Sequence, residues 1–330
     1  MKKYMSLVAA ALVFLATNLD AQDNKKLAQT GMQFLSVVSD ARAAALGEAT
    51  IGLEFGSSSM FFNPAGMASM KTFIDGSASL NQWLADINYN TFSLAIRPAS
   101  GKFGVFGLSF QTVDYGEVMG TVIANNDLGY EVTGDLSSSA IAAGVGYAKA
   151  ITDRFSVGGQ VKYVRQELGE SVVAITDSTT SNVQNDVSTI AFDFGTLFKT
   201  GLKSLAFGMS VRNFSEEITF AEESFQLPLV FAMGVSFDLQ DFVNLGSMGE
   251  SLMVSVDATH FRSHPEQLKV GVDYNLLGVL SLRGGYVLNN DEDDITFGLG
   301  VSQFGVKVDY AYTPMDSFQS VQRFTARFSF

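Results

Sequence analysis

From Thr72 to Phe330 the sequence is a succession of short segments in which apolar and polar residues alternate, and in nearly every segment the charge is confined to one of the two faces. A period of two places successive side chains on opposite faces of a strand, so each segment has one apolar and one polar side. Between Phe304 and Tyr312 the apolar set is Phe304, Val306, Val308, Tyr310 and Tyr312, opposed by Gly305, Lys307, Asp309 and Ala311. The final segment sets Phe324, Ala326, Phe328 and Phe330 against Arg323, Thr325, Arg327 and Ser329. Lys162, Asp193, Arg212, Asp257, Lys269, Asp273 and Arg283 keep to the polar side in the same way. Alternation alone also fits a soluble sandwich. Strict charge partition favours a membrane barrel, because a Lys or Arg facing lipid at mid-bilayer costs about 2–4 kcal/mol.

The N-terminus supports export. Lys2 and Lys3 precede an apolar run from Met5 to Ala16, and Ala21 offers a cleavage point, which together read as a secretory signal peptide over residues 1–21. That run is too short to span a bilayer, and no later apolar run approaches helix-spanning length. Yet 47% of the chain is hydrophobic and only 17% charged. Backbone groups in lipid must be satisfied internally, so an exported apolar chain without spanning helices crosses as closed strands. The absence of cysteine excludes disulfides and thiolate metal sites, and a net charge of −13 argues against a nucleic-acid partner.

The segments number about fourteen, an even count as bacterial barrels of this kind have. If the C-terminus is periplasmic, every second connection counted backwards should be short, and those at Gln303, Gly278, Thr200–Leu202, Thr152–Asp153 and Ala99–Gly101 are. The intervening ones, notably Gly116–Leu136 and Gly169–Asp186, are long. Asp238–Glu250 breaks the rule, and its Leu239, Phe242, Val243 and Leu245 suggest a short amphipathic helix.

Residues 22–70 do not read as membrane strand. Asp40 is placed to cap a short turn from Ala41 to Leu46 that Gly47 closes. A second turn begins at Ser57–Ser59 and must stop before Pro64, which can itself start another. Asn63, Pro64, Ala65 and Gly66 stand among Phe61, Phe62, Met67 and Met70, too apolar a setting for a solvated turn. The segment is expected to fill the barrel as an N-terminal hatch, with residues 71–330 forming the wall.

The second and third strands contain an apparent slip of phase. Ile87 and Tyr89 are odd-numbered whereas Phe92, Leu94 and Ile96 are even; Phe103 and Val105 likewise give way to Phe106, Leu108 and Phe110. A glycine-eased bulge would absorb such a slip, and Gly101, Gly104 and Gly107 recur there.

Chemistry of the enzymatic kind is not signalled. The chain has no nucleophile elbow, phosphate-binding loop or His-Glu-x-x-His motif. His260 and His264 bracket a turn, and Asp291-Glu292-Asp293-Asp294 reads as a solvated loop tip rather than a cation site. No cofactor, metal site or catalytic residue is expected.

Several stretches together resemble the PorV/PorQ family of outer-membrane barrels, itself similar to the FadL fatty-acid transporters. They are Ala41-Arg42-Ala43 to Gly47, Asn63-Pro64-Ala65-Gly66, Asn81-Gln82-Trp83-Leu84-Ala85-Asp86-Ile87, Leu227-Pro228, Leu268 to Tyr274, Leu282-Arg283-Gly284-Gly285-Tyr286 and terminal Phe330. The resemblance implies an outer-membrane barrel of fourteen strands with Asn63, Pro64 and Ala65 in its hatch, and a terminal aromatic, Phe330, read by the insertion machinery. It implies a lateral opening at a kinked third strand, here Val105, Phe106, Gly107 and Leu108. It also implies a non-catalytic protein-binding component linked to type IX secretion, whose partners are membrane lipid, the secretion channel and its cargo. FadL-like transport of a hydrophobic small molecule is the alternative.

Overall fold

The computed structural model describes residues 30–176, 179–220, 223–243, 251–290, 295–315 and 319–330. The signal-peptide region, the acidic run 291–294 and residues 244–250 of the long Asp238–Glu250 connection lie outside them. Of the expected helix in that connection, the described part holds a single 3-10 turn, Leu239–Asp241, capped by the Asp238 carboxylate.

Fourteen antiparallel strands close into one barrel, each paired with its neighbours in sequence, and the first closes on the last. In chain order the wall runs β1 (Ile74–Gln82), β2 (Asn88–Ile96), β3 (Val105–Ile123), β4 (Tyr130–Ala150), β5 (Phe155–Thr176), β6 (Thr179–Lys199) and β7 (Ala206–Phe214). A small separate hairpin, β8 (Ile218–Phe220) and β9 (Glu223–Phe225), follows. The wall resumes with β10 (Val230–Asp238), β11 (Ser251–Phe261), β12 (Gln267–Leu276), β13 (Leu280–Leu288), β14 (Ile295–Gln303), β15 (Val306–Thr313) and β16 (Val321–Ser329). Closure between β1 and β16 satisfies both terminal edges, from Asp75↔Ser329 to Gln82↔Gln322.

Most strands have about nine residues, which at ~3.3 Å each is ~30 Å, enough to cross the apolar band of an outer membrane when tilted. Outward positions are large and apolar: Phe92, Phe106, Leu108, Phe110, Val145, Phe194, Leu299, Val308 and Phe324 are all exposed in the isolated chain. The charged residues of the polar face point inward, and Asp193, Asp257, Lys269, Asp309, Arg323 and Arg327 are buried there. The expected partition is therefore the partition between lipid and lumen.

The strands β3 to β6 are about twice as long as the rest and rise beyond one rim. Pairing between β4 and β5 ends at Ser139↔Glu167, above which they continue as two separate hairpins. Each hairpin departs through a register shift, at Asp114/Glu117 in one and Glu167/Glu170 in the other. A left-handed glycine sits in each shift, Gly116 at φ +75 and Gly169 at φ +86, as a bulge built on glycine requires.

The expected bulge at Val105 to Leu108 is not there. β3 pairs without interruption with β2, Ile96↔Phe106 through Asn88↔Asp114, and with β4 over Val105↔Ala148 to Asp114↔Ser139. The slip reflects a change of surroundings, not of register. Val105 and Tyr89 are buried inward-facing apolar residues, each packed against an apolar part of the chain inside the barrel, while Phe103 precedes the strand. The ladder runs unbroken through Val105, Phe106, Gly107 and Leu108, so the bulge from which a lateral opening is expected there is absent.

Candidate functional site

The lumen is occupied by residues 30–70, and how they are held defines the site. The segment starts beside the long-hairpin rim, where Thr30 bridges Gln226 and the Gly31 amide donates to the Gln226 carbonyl. It ends at the other rim, feeding β1. Met32 and Phe34 pack with inward-facing Tyr89, Val113, Ala140 and Val164 near the first rim. Met60, Met67 and Met70 pack with Ala95, Val105 and Ala148 near the second.

Between these apolar ends lies a polar middle. The helix α1 (Ala41–Ala45) is capped by Asp40, whose carboxylate accepts from the Ala43 amide at 3.0 Å, and Gly47 follows at φ +59. The other Asp40 oxygen receives Arg327 Nη2 at 2.8 Å, so one residue both caps the helix and ties it to β16. Arg323 donates to the Val38 carbonyl at 2.8 Å. On the opposite side Asp257 accepts from the amides of Thr50 and Ile51, at 2.5 and 2.8 Å. Lys269 meets Glu48 at 2.6 Å, and Arg212 donates to the Phe61 carbonyl at 2.6 Å. These are the inward charges of the strand pattern, and they bind the segment from several sides of the wall.

Asn63 is almost wholly buried. Its amide nitrogen donates to the carbonyls of Ile51, 2.9 Å away within the segment, and Thr196, 3.0 Å away in β6. Its oxygen accepts from the Ala65 amide at 3.2 Å. Pro64 opens a 3-10 turn over Pro64–Ser69, after Asn63 in an extended conformation (φ −139, ψ 98). Ala65 and Gly66 are buried in the same turn. The backbone comes so close to the wall here that β-carbons are excluded: one added at Gly195 would lie 2.0 Å from Asn63 Oδ1, and one at Gly285 1.9 Å from the Gly47 nitrogen. Gly158, Gly208, Gly271 and Gly298 meet the segment in the same manner. Sequence reasoning missed these inward glycines, although their recurrence on the polar face of successive strands was a readable signal.

Two cavities lie beside the segment, and both are small. A cavity of about 40 Å³ between the segment and the wall, bordered by Leu35, Ser39, Phe61, Lys162 and Arg212, has room for roughly three waters. Lys162 there is spent on Asp193 at 2.8 Å and Asn213 at 2.6 Å. A second, of about 120 Å³, lies at the short-turn rim between α1 and strands β12 to β15. Phe330 is at that rim, exchanging backbone hydrogen bonds with Ile74 at 2.8 and 2.9 Å and stacked on Phe328. His260, near the end of β11, pairs with Glu266, and His264, in the turn that follows, with Ser263.

The ion pairs give a direct test of how the segment is held. Lys269→Met should leave the partly buried Glu48 carboxylate, 31% exposed, without its ammonium partner and lower stability by about 1–3 kcal/mol. Adding Glu48→Gln should recover much of the loss, read as the temperature at which the folded band shifts on gels. A double variant no better than Lys269→Met alone would show that the pair does not couple segment to wall.

Comparison with known proteins places this geometry. The family described as type IX secretion system membrane protein PorP/SprF matches residues 53–320. That match supplies the link to type IX secretion at family level and does not supply the PorV/PorQ name. No curated protein matches the sequence significantly. Among solved structures, the toluene transporter TbuX of Ralstonia pickettii is similar at 12% identity and a TM-score of 0.59, over 88% of this chain and 98% of that one. The toluene transporter TodX of Pseudomonas putida gives 12% and 0.58, over 87% and 96%. A FadL homologue of Pseudomonas aeruginosa gives 13% and 0.56, over 89% and 99%. At such identities the likeness is one of fold: a FadL-like barrel of fourteen strands.

Proposed function

The chain belongs to the PorP/SprF family of type IX secretion system membrane proteins, and from that premise we propose that it is a non-catalytic, protein-binding barrel of the outer membrane in which residues 30–70 act as a hatch. The observation that carries the reading is the filled lumen. A cavity able to take a single benzene ring is on the order of 150 Å³ and apolar, whereas the one between segment and wall is about 40 Å³ and has Lys162 and Arg212 in its lining. A hatch bonded to the wall through Asp40, Glu48, Asn63 and the Asp257-bound amides of Thr50 and Ile51 seals rather than conducts. The short turns then face the periplasm and the long hairpins the outside, with lipid around the wall. Kinship with the PorV/PorQ type is the finer part of this proposal and rests on the Asn63-Pro64-Ala65-Gly66 turn and the other stretches named above. FadL-like passage of a hydrophobic small molecule is the second reading, favoured by the fold it shares with the toluene transporters.

Affinity purification of the tagged chain from outer membranes separates the two. Secretion-channel proteins should co-purify in amounts comparable to the barrel, and loss of the chain should leave toluene and fatty-acid uptake unchanged. Recovery with lipid alone, together with an uptake defect, would replace the first reading by the second. Removing Phe330 should cut the yield of folded barrel severalfold, since its backbone bonds to Ile74 help close the wall between β1 and β16; an unchanged yield would deny it a role in assembly.

A further inference from the structure

Two of the short turns are built from the wrong residues for their shape. The β12–β13 turn holds Leu277 at φ +53 before Gly278 at φ +70, and the β14–β15 turn holds Phe304 at φ +53 before Gly305 at φ +80. Two successive left-handed residues favour Asn-Gly, since a large side chain in this region strains the backbone. Neither side chain is repaid by burial: Leu277 is 73% and Phe304 89% exposed. Strain held at an exposed apolar tip points to a use outside the isolated chain.

Beside these tips opens the cavity of about 120 Å³, bordered by Arg42, Asp273, Gly278, Arg283, Lys307 and Asp309. Its charges are almost matched. Asp273 lies 3.1 Å from both Arg42 Nε and Arg283 Nε, and Arg283 Nη1 reaches Asp309 Oδ1 at 2.6 Å. Lys307 is exposed and has no ion-pair partner among the described residues, while Asp309 Oδ2 is buried without a hydrogen-bond partner. An unspent ammonium and an unspent carboxylate oxygen thus stand two residues apart on one strand face. A phosphodiester headgroup could serve the first and would be repelled by the second. An aspartyl or glutamyl residue of a polypeptide offers a carboxylate for Lys307 and an N–H for Asp309.

We propose that this cavity, flanked by Leu277 and Phe304, docks an acidic, leucine- or aromatic-bearing segment of another polypeptide. It deepens the protein-binding reading above and rests on it for the choice of a protein partner, with the periplasm as the side from which that partner comes. The apolar tips supply contact area and the cavity selects the carboxylate.

The test uses the full chain in detergent, with fluorescence anisotropy of a labelled peptide of alternating leucine and glutamate. The same peptide with glutamine, and phosphatidylglycerol in mixed micelles, are the comparison probes. The glutamate peptide should bind at least tenfold more tightly than the glutamine one, and Lys307→Glu should weaken it at least tenfold. Phe304→Asn and Leu277→Asn should each weaken it severalfold while the folded band shifts at the same or a higher temperature, because asparagine suits the left-handed turn. Equal binding of the two peptides, indifference to Lys307→Glu, or full displacement by phosphatidylglycerol would overturn the proposal; the last would make the tips part of the lipid interface. Peptide binding without co-purifying secretion proteins would leave the site standing and remove only the secretion role.

Discussion

Replacing Gly285 by leucine is expected to drive residues 30–70 out of the barrel. The β-carbon alone would lie 1.9 Å from the Gly47 nitrogen and 2.3 Å from the Leu46 carbonyl carbon, so the obstacle is backbone on both sides. Ordinary overpacking of a core costs about 1–3 kcal/mol because side chains rotate away. Here no rotamer relieves the contact, and the left-handed turn that carries Gly47 is held by the Thr296 hydroxyl at 3.1 Å. The wall does not need residues 30–70 for its own ladder, since β13 pairs continuously with β12 and β14. The variant should still assemble and shift on heating, yet show rapid proteolysis within residues 30–70 and a raised permeability to small solutes. A protease-resistant, tight Gly285→Leu barrel would mean that the segment can repack without touching β13.

The second large effect is expected at Asn63. Leucine in its place removes three hydrogen bonds and leaves the carbonyls of Ile51 and Thr196 and the Ala65 amide without this partner. Each buried group left unsatisfied costs about 1–3 kcal/mol, so the segment should lose several kcal/mol of its hold on the wall. Asn63→Leu should therefore raise antibiotic sensitivity and give intermittent current steps in planar bilayers. Asn63→Asp keeps the oxygen that accepts from Ala65 and should show a smaller effect of the same kind. An Asn63→Leu protein as tight as the parent would reduce the Asn63-Pro64-Ala65-Gly66 stretch to a simple turn.

The wall was legible in the sequence because its physics is local. Alternation, the confinement of charge to one face and the rhythm of short and long connections each follow from a strand with lipid on one side. Asp40 as a helix cap and Pro64 as the start of a turn were readable for the same reason, since both act within three residues. What was not legible depends on contacts far apart in the chain. Arg42 and Asp273 are 231 positions apart, and no local pattern pairs them. The misreading of β2 and β3 has the same origin: Tyr89 and Val105 break the apolar alternation because apolar residues of the segment 30–70 face them, which the strands' own sequences do not say. A lumen that is partly apolar imitates a bulge.

The claim on which the rest depends is that residues 30–70 seal the lumen. Single-channel recording of the purified full chain in planar bilayers measures it directly. The intact protein should insert without steady current, and Gly285→Leu or Asn63→Leu should open steps of a size fitting a fourteen-strand barrel. A stable open conductance from the intact chain would contradict the account and leave a conduit in place of a plugged, protein-binding barrel.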